Sequence, residues 1–118
     1  MTQDSLWTHA EQLVRDHPMV VDRPGGSRHP RNPDVVYPFD YGYLDGTGAI
    51  DGDGVDCWRG SLPVATVTGV IVTVDLVKAD SEVKWLIGCT PEEIAQALAT
   101  HRTGWQDALL IIRPQPEP

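Results

Sequence analysis

The sequence is poor in positive charge and lacks long apolar runs. Nine Lys and Arg residues stand against 17 Asp and Glu, which gives a formal net charge of -8 at pH 7. This balance argues against nucleic acid and anionic membranes as partners, because phosphate-rich surfaces bind basic proteins. No apolar run approaches the ~20 residues needed to cross a bilayer. The first residues also lack the basic and apolar regions of a signal peptide.

Cysteine is scarce as well. Cys57 and Cys89 are the only two, and their wide spacing gives neither a disulfide framework nor a C-x-x-C metal site. We interpret them as buried thiols and expect a cytoplasmic protein, because a reducing compartment keeps thiols free. A chain of 118 residues with 41% hydrophobic residues can build one core. We therefore expect residues 1–118 to form a single domain.

The hydrophobic pattern predicts a mainly β protein with flanking helices, of the α+β class. Apolar residues at i, i+3, i+4 spacing predict a helix over 4–16, within an N-terminal helical segment 1–18. A capping box starting at Thr90 predicts a second helix that ends near His101. Residues 114–118 carry no ordering signal and are expected to be disordered. Strands are expected at 19–22, 35–43, 64–77, 83–88 and 108–112, and they should close on one core as a barrel or sandwich.

The stretch 37–56 is rich in tyrosine, aspartate and glycine. It ends in D-G-D-G-V-D, which places Asp51, Asp53 and Asp56 close together. Three carboxylates that close repel one another unless a cation neutralises them. Oxygen-only ligands suit hard divalent ions such as Mg²⁺, Mn²⁺ or Ca²⁺. The alternative interpretation is a solvated loop, since Asp-Gly pairs are common in turns.

The segment 23–34 combines three prolines and two glycines with three arginines, Arg23, Arg28 and Arg31. Its composition predicts an irregular loop. Two interpretations stay open for it. It is either a plain connection or a loop that holds an anion near the acidic cluster, since Arg suits bidentate phosphate contacts.

A second polar stretch covers 78–84. Asp80 and Glu82 share one face of an extended chain, and Lys84 continues that face. The stretch is either a polar hairpin turn or a source of two more carboxylates and a cation for the acidic cluster.

With these motifs side by side, the chain resembles the soluble family I inorganic pyrophosphatases. Y-P-F-D-Y-G-Y-L at 37–44 is similar to the family's Y-P-x-N-Y-G-Y-I, with Asp40 in place of Asn. D-G-D-G-V-D at 51–56 is similar to the family's D-G-D-P-x-D, with Gly54 in place of Pro. The resemblance covers about residues 20–90 of the chain.

Two further segments support the resemblance. P-G-G-S-R-H at 24–29 is similar to the family's P-K-G-S-R-N, and 80–84 is similar to a shortened form of its later D…D-x-K. The chain also departs from the pattern. An early hairpin that carries phosphate-binding Lys and Arg is missing, and a C-terminal Tyr-Lys pair has no clear match, with Arg102 or Arg113 as its substitutes.

The resemblance implies an OB-like five-stranded barrel with the site in its mouth. It implies Mg²⁺-dependent hydrolysis of diphosphate to two phosphates, with Mn²⁺ as a substitute. Asp53 would be the base that activates water. Tyr41 and Lys84 would act in catalysis and hold phosphate oxygens, and Arg23 and Arg28 would also bind substrate. Five carboxylates would bind metal: Asp51, Asp53, Asp56, Asp80 and Glu82.

The sequence leaves other functions open. The missing cationic hairpin favours a hydrolase of a larger phosphorylated or diphosphate metabolite, or a non-catalytic module that binds a metal or phosphometabolite. Members of the family are often homo-oligomers, and the resemblance leaves a homo-oligomer open without fixing a number.

Overall fold

The computed structural model of the protein describes residues 3–48 and 52–115. Asp51 and the end of the tail, 116–118, lie outside these residues. Within them the chain forms two helices and six strands: α1 (Gln3–Asp16), β1 (Met19–Arg23), β2 (Asp40–Leu44), β3 (Val55–Arg59), β4 (Val67–Asp75), β5 (Asp80–Ile87), α2 (Pro91–Thr100) and β6 (Gln106–Ile112). The predicted mainly β, α+β class is confirmed. No helix in this part of the chain is long and apolar enough to span a membrane.

Three strands differ most from the sequence prediction. No strand was predicted at Val55–Arg59, where the structure has β3. The first half of the strand expected over 35–43 is a loop, because Pro38 has no N–H to donate and the Tyr37 backbone bonds to Gly26 and Ser27 instead. The strand expected over 83–88 begins earlier, at Asp80. The polar stretch 80–84 is therefore part of β5 and not a turn.

The strands form one six-stranded sheet in the order β1-β2-β3-β5-β4-β6. Every neighbouring pair is antiparallel except β3 and β5, which run parallel. Asp22 of β1 and Gln106 of β6 lie on opposite edge strands, yet both line one cavity. The sheet is therefore strongly curved, and we call the side that faces this cavity the inner face.

Helix α1 covers the outer face of the sheet. Its Trp7 and Ala10 pack against Val67 and Val70 of β4, and the Trp7 ring meets the Trp85 ring edge-on at 6.1 Å. Trp7 and Ala10 belong to the row of apolar residues at i, i+3, i+4 spacing from which the helix was predicted. The sheet is thereby held from the side away from the cavity.

Trp58 is the centre of the inner-face core. Its side chain is fully buried, and it packs with Leu86 of β5 and with Ile94 of α2. The rings of Phe39 and Tyr41 lie 4.8 and 4.9 Å from the Trp58 ring. The aromatic residues before and within β2 therefore belong to the apolar core beneath the polar residues of the cavity.

Candidate functional site

A cavity of about 390 Å³ lies on the inner face of the sheet. Its walls come from β1 to β5, from the loop between β1 and β2, and from the connection between α2 and β6. Most of the charged side chains in the wall are acidic. The carboxylates are Asp22, Asp53, Asp56, Asp75 and Glu82, and the Lys and Arg residues are Arg23, Lys78 and Lys84.

Strand register brings the central residues together. Asp56 of β3 lies opposite Tyr43 of β2 on one side and opposite Lys84 of the parallel strand β5 on the other. Directly paired residues project from the same face of a sheet. Glu82 precedes Lys84 by two residues and so shares that face. The acidic segment and the polar stretch of β5 therefore lie side by side. This agrees with the interpretation of 78–84 as a source of carboxylates and a cation for the acidic cluster.

The charged side chains form a line, which we call the charge chain. Lys84 Nζ lies 2.9 Å from Asp56 Oδ2 and 3.4 Å from Glu82 Oε2. Lys78 Nζ lies 2.7 Å from Glu82 Oε1 and 3.4 Å from Asp80 Oδ2. Positive and negative groups alternate from Asp56 to Asp80, and Glu82 bridges the two lysines with its two oxygens.

The pKa values of the two carboxyls beside Lys84 are shifted in opposite directions. Burial raises the pKa of Asp56 to about 6, against the attraction of Lys84. Burial also opposes ionisation of Glu82, but hydrogen bonding from Asp56 and Lys78 outweighs it and lowers the Glu82 pKa to about 2. Asp56 is thus the first of the two to bind a proton as the pH falls, and a cation bound beside it would lower its pKa.

Tyr41 lies against this end of the charge chain. Lys84 Nζ is 5.5 Å from the centre of the Tyr41 ring, in a cation–π arrangement. Burial, with the nearby Asp56 and Glu82, raises the pKa of Tyr41 well above 10. The Tyr41 hydroxyl therefore stays protonated and can donate a hydrogen bond.

His101 is a cavity residue that the sequence pattern marked only as a helix end. Trp58 Nε1–H donates to His101 Nε2 at 3.0 Å, so the ring proton of the neutral form is on Nδ1, which faces Gln106 Oε1 at 3.3 Å. Burial, and then Lys84, lower the pKa of His101 to about 4. The imidazole is therefore neutral at pH 7.

The structure brings most of the predicted site residues to the cavity: Arg23, Tyr41, Asp53, Asp56, Glu82 and Lys84. Two others are elsewhere. Arg28 is exposed, and its Nη1 donates to the Pro33 carbonyl of its own loop at 2.7 Å. Asp80 is at the far end of the charge chain beside Lys78.

Asp75 and Asp22 are the two acidic cavity residues that were not predicted from the sequence, and Asp75 is the one on an interior strand of the sheet. It ends β4 directly opposite Asp80, and it lines the cavity. Its Oδ1 accepts the N–H groups of Val77 and Lys78, both at 2.9 Å. The alternation of β4 puts Asp75 on the same face as Ile71 and Thr73. A single acidic residue at the end of a strand rich in β-branched residues was therefore the only sequence pattern that could have indicated its place.

Both departures from the pyrophosphatase motifs have a local structural role. Gly54 has φ +93°, which proline cannot adopt because its ring holds φ near −65°. Asp40 Oδ1 accepts the N–H of Gly25 at 2.9 Å. That bond ties the β1–β2 loop to the start of β2.

Lys84 takes the position between the carboxylates that a cation would take. Among residues 3–48 and 52–115, no three His, Cys, Asp or Glu side chains form a group that could hold a metal ion. The lysine ammonium lies between Asp56 and Glu82 instead. The donors around it are all oxygens, which is the ligand chemistry of Mg²⁺ and Mn²⁺.

No protein-family model matches the sequence, and no curated protein is significantly similar to it. The function therefore has to be inferred from the cavity and its residues.

Proposed function

We propose that the chain is a metal-dependent hydrolase that cleaves inorganic diphosphate into two phosphates, as a short and divergent relative of the family I inorganic pyrophosphatases. The observation that carries the proposal is that Asp53, Asp56 and Glu82 line one cavity together with Lys84 and Tyr41. Three separate segments of the chain supply these side chains. The same positions stand in the motifs that resemble that family.

The proposal extends to the fold and the setting. Strands β1 to β5 would form the OB-like five-stranded barrel, with β6 added beside β4. The strong curvature that brings both edge strands to one cavity supports this arrangement. A cytoplasmic location is part of the proposal, favoured by the free, buried thiols of Cys57 and Cys89. A homo-oligomer is compatible with it.

The cavity fits a hard divalent cation by its donor chemistry. Asp53, Asp56 and Glu82 would hold Mg²⁺, or Mn²⁺ in its place, after their side chains move together on binding, because among the described residues they do not form a group that could hold a metal ion. Asp51 and Asp80 complete the set that the motifs imply. Asp80 Oδ1 is buried and has no hydrogen-bond partner among the described residues, so this oxygen has a lone pair to offer. When bound, the metal lowers the pKa of water and neutralises phosphate oxygens.

The cationic side chains would hold the substrate. Arg23 can grip two phosphate oxygens with its planar guanidinium. Lys84 Nζ and the Tyr41 hydroxyl donate to the oxygens of the phosphate nearest to Asp56. These contacts orient the P–O–P bridge for in-line attack, which is the main requirement of phosphoryl transfer.

Asp53 would act as the general base. Its carboxylate takes a proton from the attacking water, and the water oxygen bonds to one phosphorus. The bridging oxygen leaves with the electron pair on the second phosphate. Asp56 is less suited to this role, because its Oδ2 already accepts a hydrogen bond from Lys84 Nζ at 2.9 Å.

Phosphate release with Mg²⁺ tests the proposal. We expect Asp53→Asn to lower the rate about 10²–10⁴-fold, as loss of a general base does, and we expect EDTA to abolish the activity until Mg²⁺ or Mn²⁺ is restored. Asp107→Asn is the matched control, because the Asp107 side chain is 87% exposed and lies outside the cavity wall. Equal rates for the wild type and Asp53→Asn would refute the proposal.

A second candidate is a non-catalytic module that binds a metal–diphosphate complex. The position of Lys84 favours it, because the lysine already neutralises Asp56 and Glu82 without a metal. Calorimetry distinguishes the two. Binding of Mg²⁺–diphosphate without phosphate release would support the module, whereas turnover would exclude it.

A further inference from the structure

We infer that Thr103 and Trp105 form a second subsite in the cavity, which takes the nucleoside of a nucleoside diphosphate. The inference rests on the proposed function, because it names the class of substrate for the same cavity. It makes the terminal phosphate the group that is removed.

The cavity is larger than an inorganic diphosphate needs. Its volume of about 390 Å³ lies within the range of roughly 300–1,000 Å³ that is typical of pockets for drug-sized organic ligands. Two phosphates and their cations occupy only part of such a space.

The wall of the cavity has two chemically different parts. The charge chain and Arg23 form the part that suits phosphates. The connection between α2 and β6 forms the other part, where Thr103 and Trp105 lie with His101, whose Nε2 accepts a hydrogen bond from Trp58. Uncharged hydroxyl and aromatic groups suit a sugar and a base better than a phosphate.

Thr103 has an unmet hydrogen bond. Its Oγ1 is buried and has no partner within the part of the chain that the structure describes, while its backbone N–H is held by the Gln106 carbonyl at 3.0 Å. Buried hydroxyls are usually paired. Because Thr103 lines the cavity, a hydroxyl or base nitrogen of a ligand would supply the missing partner.

Trp105 follows Thr103 by two residues and lines the same cavity. Its side chain is half-buried, and its carbonyl accepts the N–H of Leu76 at 2.9 Å, which ties its backbone to the β4–β5 turn. Indole rings stack on nucleobases with little regard to base identity. A hydroxyl and an aromatic ring two residues apart are the pair that a nucleoside would use.

The reaction balances without a further reactant. The water oxygen bonds to the terminal phosphorus, and the bond from that phosphorus to the bridging oxygen breaks. The bridging oxygen keeps the electron pair and leaves on a nucleoside monophosphate. Asp53 takes the proton of the water, so the products are inorganic phosphate and the monophosphate.

The test compares kcat/KM for ADP, UDP and inorganic diphosphate with Mg²⁺ on the full chain. We expect the wild type to hydrolyse both nucleotides. Trp105→Ala should lower the ratio of nucleotide to diphosphate kcat/KM about 10-fold through lost stacking, and Trp105→Phe should restore most of it. Thr103→Val, which keeps the shape and removes the hydroxyl, should lower the ratio about 5-fold. Thr66→Val, at an exposed threonine away from the cavity, should keep the wild-type ratio.

The outcomes separate this inference from the proposed function. Hydrolysis of diphosphate with neither hydrolysis nor calorimetric binding of ADP and UDP overturns the subsite and leaves the proposed function standing. Nucleotide binding that Trp105→Ala and Thr103→Val weaken, without hydrolysis of any of the three compounds, supports the subsite and overturns the proposed function. Unchanged ratios in both folded variants overturn the subsite.

Discussion

The two faces of β5 carry opposite chemistry in alternating residues. Towards the cavity, Glu82 and Lys84 have side chains that are 13% and 5% exposed and belong to the charge chain. Away from it, Trp85 packs under α1 against Trp7, and Val83 lies beyond the helix with 45% exposure. One strand therefore serves both the site and the scaffold, because its side chains project alternately to the two faces.

The two faces are also stabilised in different ways. The inner face depends on pairing, since a buried charge that loses its partner is costly. The outer face depends on apolar area removed from water and on close packing. Substitutions on the two faces should therefore destabilise the protein for different reasons. Variants on each face can measure the two contributions separately.

The largest effect is expected at the buried lysine. Lys84→Met leaves Asp56 and Glu82 without their shared cation, and we expect a loss of about 3–5 kcal/mol in the free energy of unfolding. Lys78→Met is the matched control, because the Lys78 side chain is 47% exposed and exposed ion pairs contribute about 0–1 kcal/mol. Urea unfolding measures both. Equal losses would contradict the difference between the two ends of the charge chain.

The outer face should lose stability without losing the site. Trp7→Ala removes a ring that is 6% exposed from its contacts with Val70 and Trp85, and we expect a loss of about 3 kcal/mol. Phosphate release per folded molecule should stay at the wild-type rate. Leu6→Ala, at a side chain that is 60% exposed, should cost less than about 0.5 kcal/mol. A large fall in the rate for Trp7→Ala would show that the faces are coupled.

Lowering the pH should destabilise the folded chain through protonation of His101 on the inner face. The pKa of His101 is about 4 in the folded chain and 6.5 in its ordinary state. Between these values the unfolded chain binds the proton and the folded chain does not, so stability falls as the pH falls from 6.5 to 4. The loss approaches about 3 kcal/mol, because a charged imidazole is unfavourable when buried and close to Lys84.

His101→Gln isolates this contribution. Asp56, with its pKa raised from 3.8 to about 6, acts in the opposite direction in the same range, since there the folded chain binds more protons. Glu82, with its pKa lowered from 4.5 to about 2, removes stability only below 4.5. The pH profile of unfolding for the wild type minus that for His101→Gln cancels both. A difference that does not change between pH 6.5 and 4 would contradict the expectation.

The smallest effect is expected on the exposed part of the outer face. Val83→Thr keeps the β-branched shape on a side chain that is 45% exposed, and we expect a change in unfolding free energy below about 0.5 kcal/mol. Thermal or urea unfolding measures it. A loss as large as that for Trp7→Ala would mean that this part of the face is covered in solution.

Sequence reasoning predicted the site where the signal is local. The D-G-D-G-V-D segment pointed to Asp53 and Asp56, and the period of two in β5 pointed to Glu82 and Lys84, all of which line the cavity. It missed Asp75, because a single acidic residue at a strand end carries no motif. Asp75 enters the site only through the register of β4 with β5.

Other residues lie where the sequence did not predict them, and they too are placed by tertiary structure. Arg28 has the chemistry of a phosphate ligand, but the backbone bonds of its loop direct it to Pro33. His101 was predicted only as the end of a helix and Thr103 was given no role, yet the curvature of the sheet brings both to the cavity. None of these placements could be read from neighbours in the chain.

The sequence by itself determined the helices, most of the strands, the acidic character of the site and three of its carboxylates, Asp53, Asp56 and Glu82. These follow from local periodicity, capping and side-chain chemistry, which act over a few residues. Only the tertiary structure decided that Lys84 lies between Asp56 and Glu82, and that the α2–β6 connection completes the cavity. Asp56 and Lys84 are 28 residues apart, and the pairing of β3 with β5 that joins them is a cooperative property of the whole sheet.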